Sequence, residues 1–144
     1  MLPASSASPL LGRALPEFRR TALDGTDLDS RLFRGRPVVV EFFAAYCEPC
    51  KRTLPATQQL SRENRHAVFV GISADDYAST ARAVVAEHGL TFAVVHDSGH
   101  VLQGRFRVRE LPVTFLADAS GTVRWVGGPE HGAEELARAL DAVE

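Results

Sequence analysis

The chain has 144 residues, enough for one ordinary domain. A domain of that length buries roughly 70% of the surface of its unfolded chain, so no disulfide or metal is needed to hold its core. With 16 basic and 18 acidic residues the net charge is −2, which gives no electrostatic footprint for nucleic acid or an anionic membrane.

Residues 1–9, MLPASSASP, are small and polar, without the basic start and apolar stretch of a signal peptide. Residues 1–11 are therefore expected to form a flexible leader and residues 12–144 the domain. Two settings fit: cytoplasmic if the sequence is full-length, or periplasmic or otherwise extracytoplasmic and membrane-tethered if it is a mature domain. Phe18 to Leu28 reads as an edge hairpin or strand turning at Asp24-Gly25, and Arg34-Gly35-Arg36 as a turn. Pro37 to Phe43 is rich in β-branched and aromatic residues, with apolar side chains on both alternating faces, which predicts a central buried strand. A helix follows to about Asn64, with a kink expected at Pro55. Ala67 to Ile72 predicts a second buried strand. A helix capped within Ser73 to Asp76 should then run to His88, with Gly89 as its C-cap. Phe92 to Val95 predicts a short strand and His100 to Phe106 a short helix. Val113 to Ala117 and Val123 to Gly127 predict an antiparallel hairpin, and Glu134 to Val143 a closing amphipathic helix. Alternating strands and helices imply an α/β sandwich.

Both cysteines fall in Cys47-Glu48-Pro49-Cys50, between the central strand and the helix after it. A structural staple is one reading, but so short a loop removes little chain entropy, about 2 kcal/mol. A zinc site is another, and it would need a second pair of ligands. The histidines, His66, His88, His96, His100 and His131, are scattered singly except for His96 and His100. The third reading is redox chemistry. The thiolate is the nucleophile in disulfide exchange, and a helix start offers unpaired N–H groups and the positive end of the dipole to stabilise it. Cys47 would attack first, and the more covered Cys50 would resolve the mixed disulfide. Pro49 suits a first helical turn and restricts the backbone between the sulfurs, whereas the charge of Glu48 opposes thiolate formation.

Phe42-Phe43-Ala44-Ala45-Tyr46-Cys47-Glu48-Pro49-Cys50 resembles the thioredoxin active-site segment. The wider layout resembles the TlpA/ResA-like branch of the thioredoxin-like superfamily, related to the AhpC/TSA proteins. Its marks are Leu15-Pro16-Glu17-Phe18, Leu23-Asp24-Gly25, Arg34 to Val38, the cysteine motif and Leu111 to Asp118. The resemblance runs from about Gly12 to Val143. It implies a thioredoxin fold, a central mixed β-sheet flanked by helices, with an N-terminal β extension and a central β/α insertion between Asp75 and Val95. It also implies a cis Leu111–Pro112 bond facing the cysteines, with the backbone of Leu111 pairing with a substrate chain. Tyr46, in place of the usual Trp, would form an aromatic lip for substrate beside Glu48 and Pro49. Glu41, six residues before Cys47, stands where thioredoxins carry a buried acid, and would exchange a proton with Cys50 through water. The alternative for Glu41 is a solvated sheet residue. Lys51 and Arg52 read as solvated helix residues. ResA-like reductases with the same Glu-Pro dipeptide carry a glutamate where this chain has Thr53, which puts a role in cytochrome c maturation in doubt.

The resemblance implies a bacterial thiol–disulfide oxidoreductase that reduces or exchanges disulfides in protein substrates. It would need no cofactor beyond the redox-active Cys47–Cys50 pair. It would act as a monomer, recharged by a thioredoxin or a membrane thiol carrier. Two alternatives stand beside it. A peroxiredoxin-like peroxidase would need a Pro and a Thr or Ser before its cysteine, and Phe43-Ala44-Ala45-Tyr46 supplies neither. A copper-binding thioredoxin-fold chaperone would use the thiolates with His96 or His100, although such carriers generally have one more residue between their cysteines.

Overall fold

The computed structural model describes residues 1–144. Its centre is β3 (Val38–Phe43), a run of β-branched and aromatic residues buried along its whole length. β3 pairs in parallel with β4 (Val68–Ser73), and β4 pairs in parallel with β5 (Ala93–His96). On its other side β3 pairs antiparallel with β6 (Val113–Ala117), which pairs antiparallel with β7 (Val123–Gly127). The five-stranded mixed sheet has the order β5-β4-β3-β6-β7. A separate antiparallel ribbon of β1 (Arg19–Thr21) and β2 (Asp27–Asp29) forms the expected hairpin, and a 3-10 turn over Ser30–Phe33 follows it.

Four α-helices complete the fold: α1 (Cys50–Glu63), α2 (Ala78–His88), the short α3 (Val101–Arg105) and α4 (Ala133–Val143). On one face of the sheet, Val38, Val40 and Phe42 pack with Phe18 and Leu28 of the hairpin region, Leu102 of α3, and Phe106. On the other face, Val39 joins Leu60 of α1, Trp125 of β7 and Leu136 and Leu140 of α4. Phe43, on that same face, packs with Leu54 of α1, Val84 of α2 and both cysteines.

Local chemistry sets the ends of these elements. α1 runs through Pro55 to Glu63, with Asn64 as its C-cap, the extent the sequence predicts. Gly89 closes α2 in the left-handed conformation, as its lack of a Cβ allows. The predicted cap within Ser73 to Asp76 is absent: Tyr77 precedes α2 without a side-chain cap, because the Asp75 carboxylate is buried and engaged elsewhere. Residues 4–6 of the N-terminal segment lie against β7. The Ser6 N–H donates to the Val126 carbonyl (2.7 Å), the Ser5 hydroxyl accepts from the Val126 N–H (2.7 Å), and the Trp125 indole N–H donates to the Ala4 carbonyl (3.1 Å). Leu10 is buried in the core. The segment satisfies backbone groups on an edge strand that would otherwise be unpaired.

Candidate active site

β3 ends at Phe43 and α1 begins at Cys50, so Cys47 sits in the connection just ahead of the helix. The Cys47 N–H donates to the Ala44 carbonyl (3.1 Å). The Ala45 N–H donates to Oδ1 of Asp75 (2.9 Å), whose Oδ2 accepts from the Ser73 hydroxyl (2.8 Å). Asp75 therefore ties the cysteine loop to the end of β4. Cys47 and Cys50 are joined as a disulfide, with Cα atoms 5.4 Å apart. The Cys50 N–H points at Sγ of Cys47, at 3.2 Å. Cys50 is the more covered of the two, 1% exposed against 6% for Cys47. Pro49 occupies the N-cap position of α1 with helical torsions.

The surroundings separate into an open rim and a closed interior. Tyr46 is 75% exposed beside Cys47, and Glu48 forms an exposed ion pair with Lys51 at 3.1 Å. A cavity of about 210 Å3 between α1 and α2 is lined by both cysteines, Leu54, Ala83, Val84 and His88. The Leu111–Pro112 bond is cis. Val113, directly after it, pairs with Phe42 at the end of β3 that leads to the cysteines. Leu111 packs against the apolar cluster that contains Cys47 and Cys50.

Glu41 is 1% exposed, on the face of β3 that meets α1. Its Oε2 accepts from the Thr53 hydroxyl (2.8 Å) and its Oε1 from the Thr57 hydroxyl. Burial raises its pKa above the ordinary glutamate value, and the hydrogen bonds from Thr57 and then Thr53 oppose that rise. The solvated alternative for Glu41 is thus excluded.

The family model for AhpC/TSA proteins matches residues 11–126, most of the chain. The chain belongs to the AhpC/TSA family. Within the thioredoxin-like proteins its similarity is to ResA-type oxidoreductases. It is 28% identical over 115 residues to the thiol-disulfide oxidoreductase ResA of Bacillus anthracis, covering 78% of this chain and 66% of that protein. The match spans just under two thirds of the curated relative's length. A secreted disulfide oxidoreductase of Mycobacterium tuberculosis, homologous to Escherichia coli DsbE, superposes with a TM-score of 0.79 at 27% identity, covering 87% of this chain and 95% of that one. DsbF of the same organism superposes with a TM-score of 0.82 at 25% identity, covering 88% and 95%.

The AhpC/TSA fold brings Cys47, Cys50 and Leu111 into one cluster and holds Glu41 beneath the first turns of α1. The two histidines considered as metal ligands do not join it. Nε2 of His96 pairs with the Asp75 carbonyl (2.8 Å), and Nδ1 of His100 pairs with the Gln103 side chain (2.8 Å). No group of three or more His, Cys, Asp or Glu side chains converges as a metal cage. Sequence reasoning missed Thr57 and Asp75. Thr57 was findable, because it lies four residues after Thr53 and on the same helix face. Asp75 was misread as a helix cap, the ordinary use of an Asp ahead of a helix.

Proposed function

We propose that this chain is a thiol–disulfide oxidoreductase that reduces or exchanges disulfides in protein substrates through the Cys47–Cys50 couple. The observation that carries this reading is the Cys50 N–H aimed at Sγ of Cys47, 3.2 Å away at the start of α1. In the reduced protein the same donor favours a thiolate on Cys47 over a thiol. Cys47 attacks a substrate disulfide and forms a mixed disulfide, releasing one substrate thiolate. Cys50 then attacks Sγ of Cys47, forms the Cys47–Cys50 bond and releases the second substrate sulfur as a thiolate. The substrate gains two electrons and the cysteine pair loses them, so no further cofactor is needed. Glu41 accepts the proton that Cys50 must lose before it attacks, through water.

The substrate chain lies across Tyr46, Glu48 and Pro49 on one side and the cis Leu111–Pro112 loop on the other. There it pairs with the backbone of Leu111 in short β fashion. A thioredoxin or membrane thiol carrier restores the dithiol, and the protein works as a monomer. Cys47→Ser should abolish turnover, while Cys50→Ser should accumulate mixed disulfides with protein substrates, seen as reductant-sensitive adducts. An active Cys47→Ser protein together with a Cys50→Ser protein that traps nothing would overturn the assigned order.

A further inference from the structure

Glu41 is held in an unusual way for a buried acid. No cation faces it. On α1 the groups turned toward it are Thr53 and Thr57, each donating to one carboxylate oxygen, and Cys50 lies one turn before Thr53. Its neighbours in the sheet, Gly71 of β4 and Thr114 of β6, are uncharged. Thr53 also lies 3.5 Å from the Cys50 carbonyl oxygen, a second acceptor for its hydroxyl. Beyond the two threonines, a crevice of about 20 Å3 opens between α1 and the start of α4, lined by Thr53, Thr57, Thr114, Trp125, His131 and Leu136. A single water needs about 10–15 Å3 and two or more polar partners. Thr53, Thr57 and Thr114 bring hydroxyl-bearing side chains to its wall, and His131 is the titratable residue there.

We propose that Thr53 and Thr57 are positioning residues for Glu41, and that Thr53 connects Glu41 to this crevice as the route by which its proton leaves. The inference rests on the proton-transfer role given to Glu41 above. While Glu41 is charged, both threonines donate to it. When Oε2 takes the proton released by Cys50, that oxygen becomes a donor. The Thr53 oxygen must then accept, and its own hydrogen must turn to the Cys50 carbonyl or to a water in the crevice. Passing that hydrogen to the water while taking the one from Oε2 returns Glu41 to its charged form. The net change is one proton moved from Cys50 to solvent, with no electrons transferred in this step.

The test is the reaction of the reduced protein with an aromatic disulfide reagent whose two thiolates are released in sequence and read by absorbance. The first release reports attack by Cys47 and the second reports resolution by Cys50. The rate of the second release should rise with pH to a plateau. Removing a hydroxyl donor makes the Glu41 carboxylate harder to form. Thr53→Val should therefore displace the midpoint to higher pH, with about a tenfold lower rate below the midpoint for each unit of displacement. Thr57→Val should act in the same direction, and Thr53→Ser should restore the wild-type profile. If Thr53→Val and Thr57→Val, both shown to be folded by circular dichroism, keep the wild-type midpoint and rates while Glu41→Gln alters the profile, the threonine role is wrong and the Glu41 role survives. If Glu41→Gln itself leaves the second release unchanged at every pH, both fall together.

Discussion

The two faces of β3 are built from the same short run of residues and do opposite work. Val38, Val40 and Phe42 face an apolar cluster in which Phe106 lies 5.1 Å from Phe42 and 5.3 Å from Phe115, ring centre to ring centre. Val39, Glu41 and Phe43 face α1, α2 and α4, and in their midst is a carboxyl group with no cation beside it. The first face lowers the free energy of the fold by burying hydrocarbon. The second gives up part of that gain to hold a carboxyl group against the first turns of α1. A buried acid on a strand that is otherwise β-branched and aromatic is hard to explain by packing. Two threonines one helical turn apart each satisfy one of its oxygens.

That comparison can be broken from either side. Phe106→Ala, on the apolar face, should cause the largest loss, about 3–5 kcal/mol in chemical denaturation. The folded variant should keep normal Cys47 reactivity. A loss of exchange rate with little loss of stability would mean that the faces are not separable. Gly71→Ala, beside Glu41 in the sheet, should cost about 1–3 kcal/mol. A Cβ there would sit 3.0 Å from Phe92 and 3.2 Å from Phe43, so both rings must shift. A stability equal to wild type would show that this face has slack. Glu41→Gln should have the smallest effect on stability, and one that depends on pH. Because the folded protein raises the carboxyl pKa, the stability tied to Glu41 is fully present at low pH. It is lost as pH rises from the ordinary glutamate range through the folded value. The melting temperature of Glu41→Gln relative to wild type should therefore increase from acid to alkaline pH. A difference that stays flat with pH would show that Glu41 does not titrate as its burial requires.

The sequence was informative wherever one physical pattern dominated. Val38 to Phe43 could only be a covered strand, and the Asp24-Gly25 and Gly89 punctuation placed a hairpin and a helix end that the structure shares. The cysteine pair and the proline at position 112 were readable as a site because their spacing resembles a family. Packing patterns alone would have left staple, metal and redox readings open. What stayed hidden was set by long-range backbone partners. Residues 1–11 have neither hydrophobic period nor strand propensity, and they dock through Ser5, Ser6 and Ala4 onto atoms of β7 more than a hundred positions away. Asp75 looks like a cap until the chain folds and brings the Ala45 N–H within 2.9 Å. Thr57 gains meaning only once Glu41 is known to face α1.

The most direct test of the central claim is an equilibrium titration of the Cys47–Cys50 couple against dithiol/disulfide buffers of defined potential, read by thiol alkylation and mass. The account predicts one reversible transition with a two-electron slope of about 30 mV per decade, absent in both Cys47→Ser and Cys50→Ser. A midpoint near or below about −250 mV would make the protein a reductant, and one near −120 to −180 mV an oxidant or isomerase. A pair that stays oxidised or reduced across the range, or that re-forms its bond irreversibly, would contradict the redox assignment.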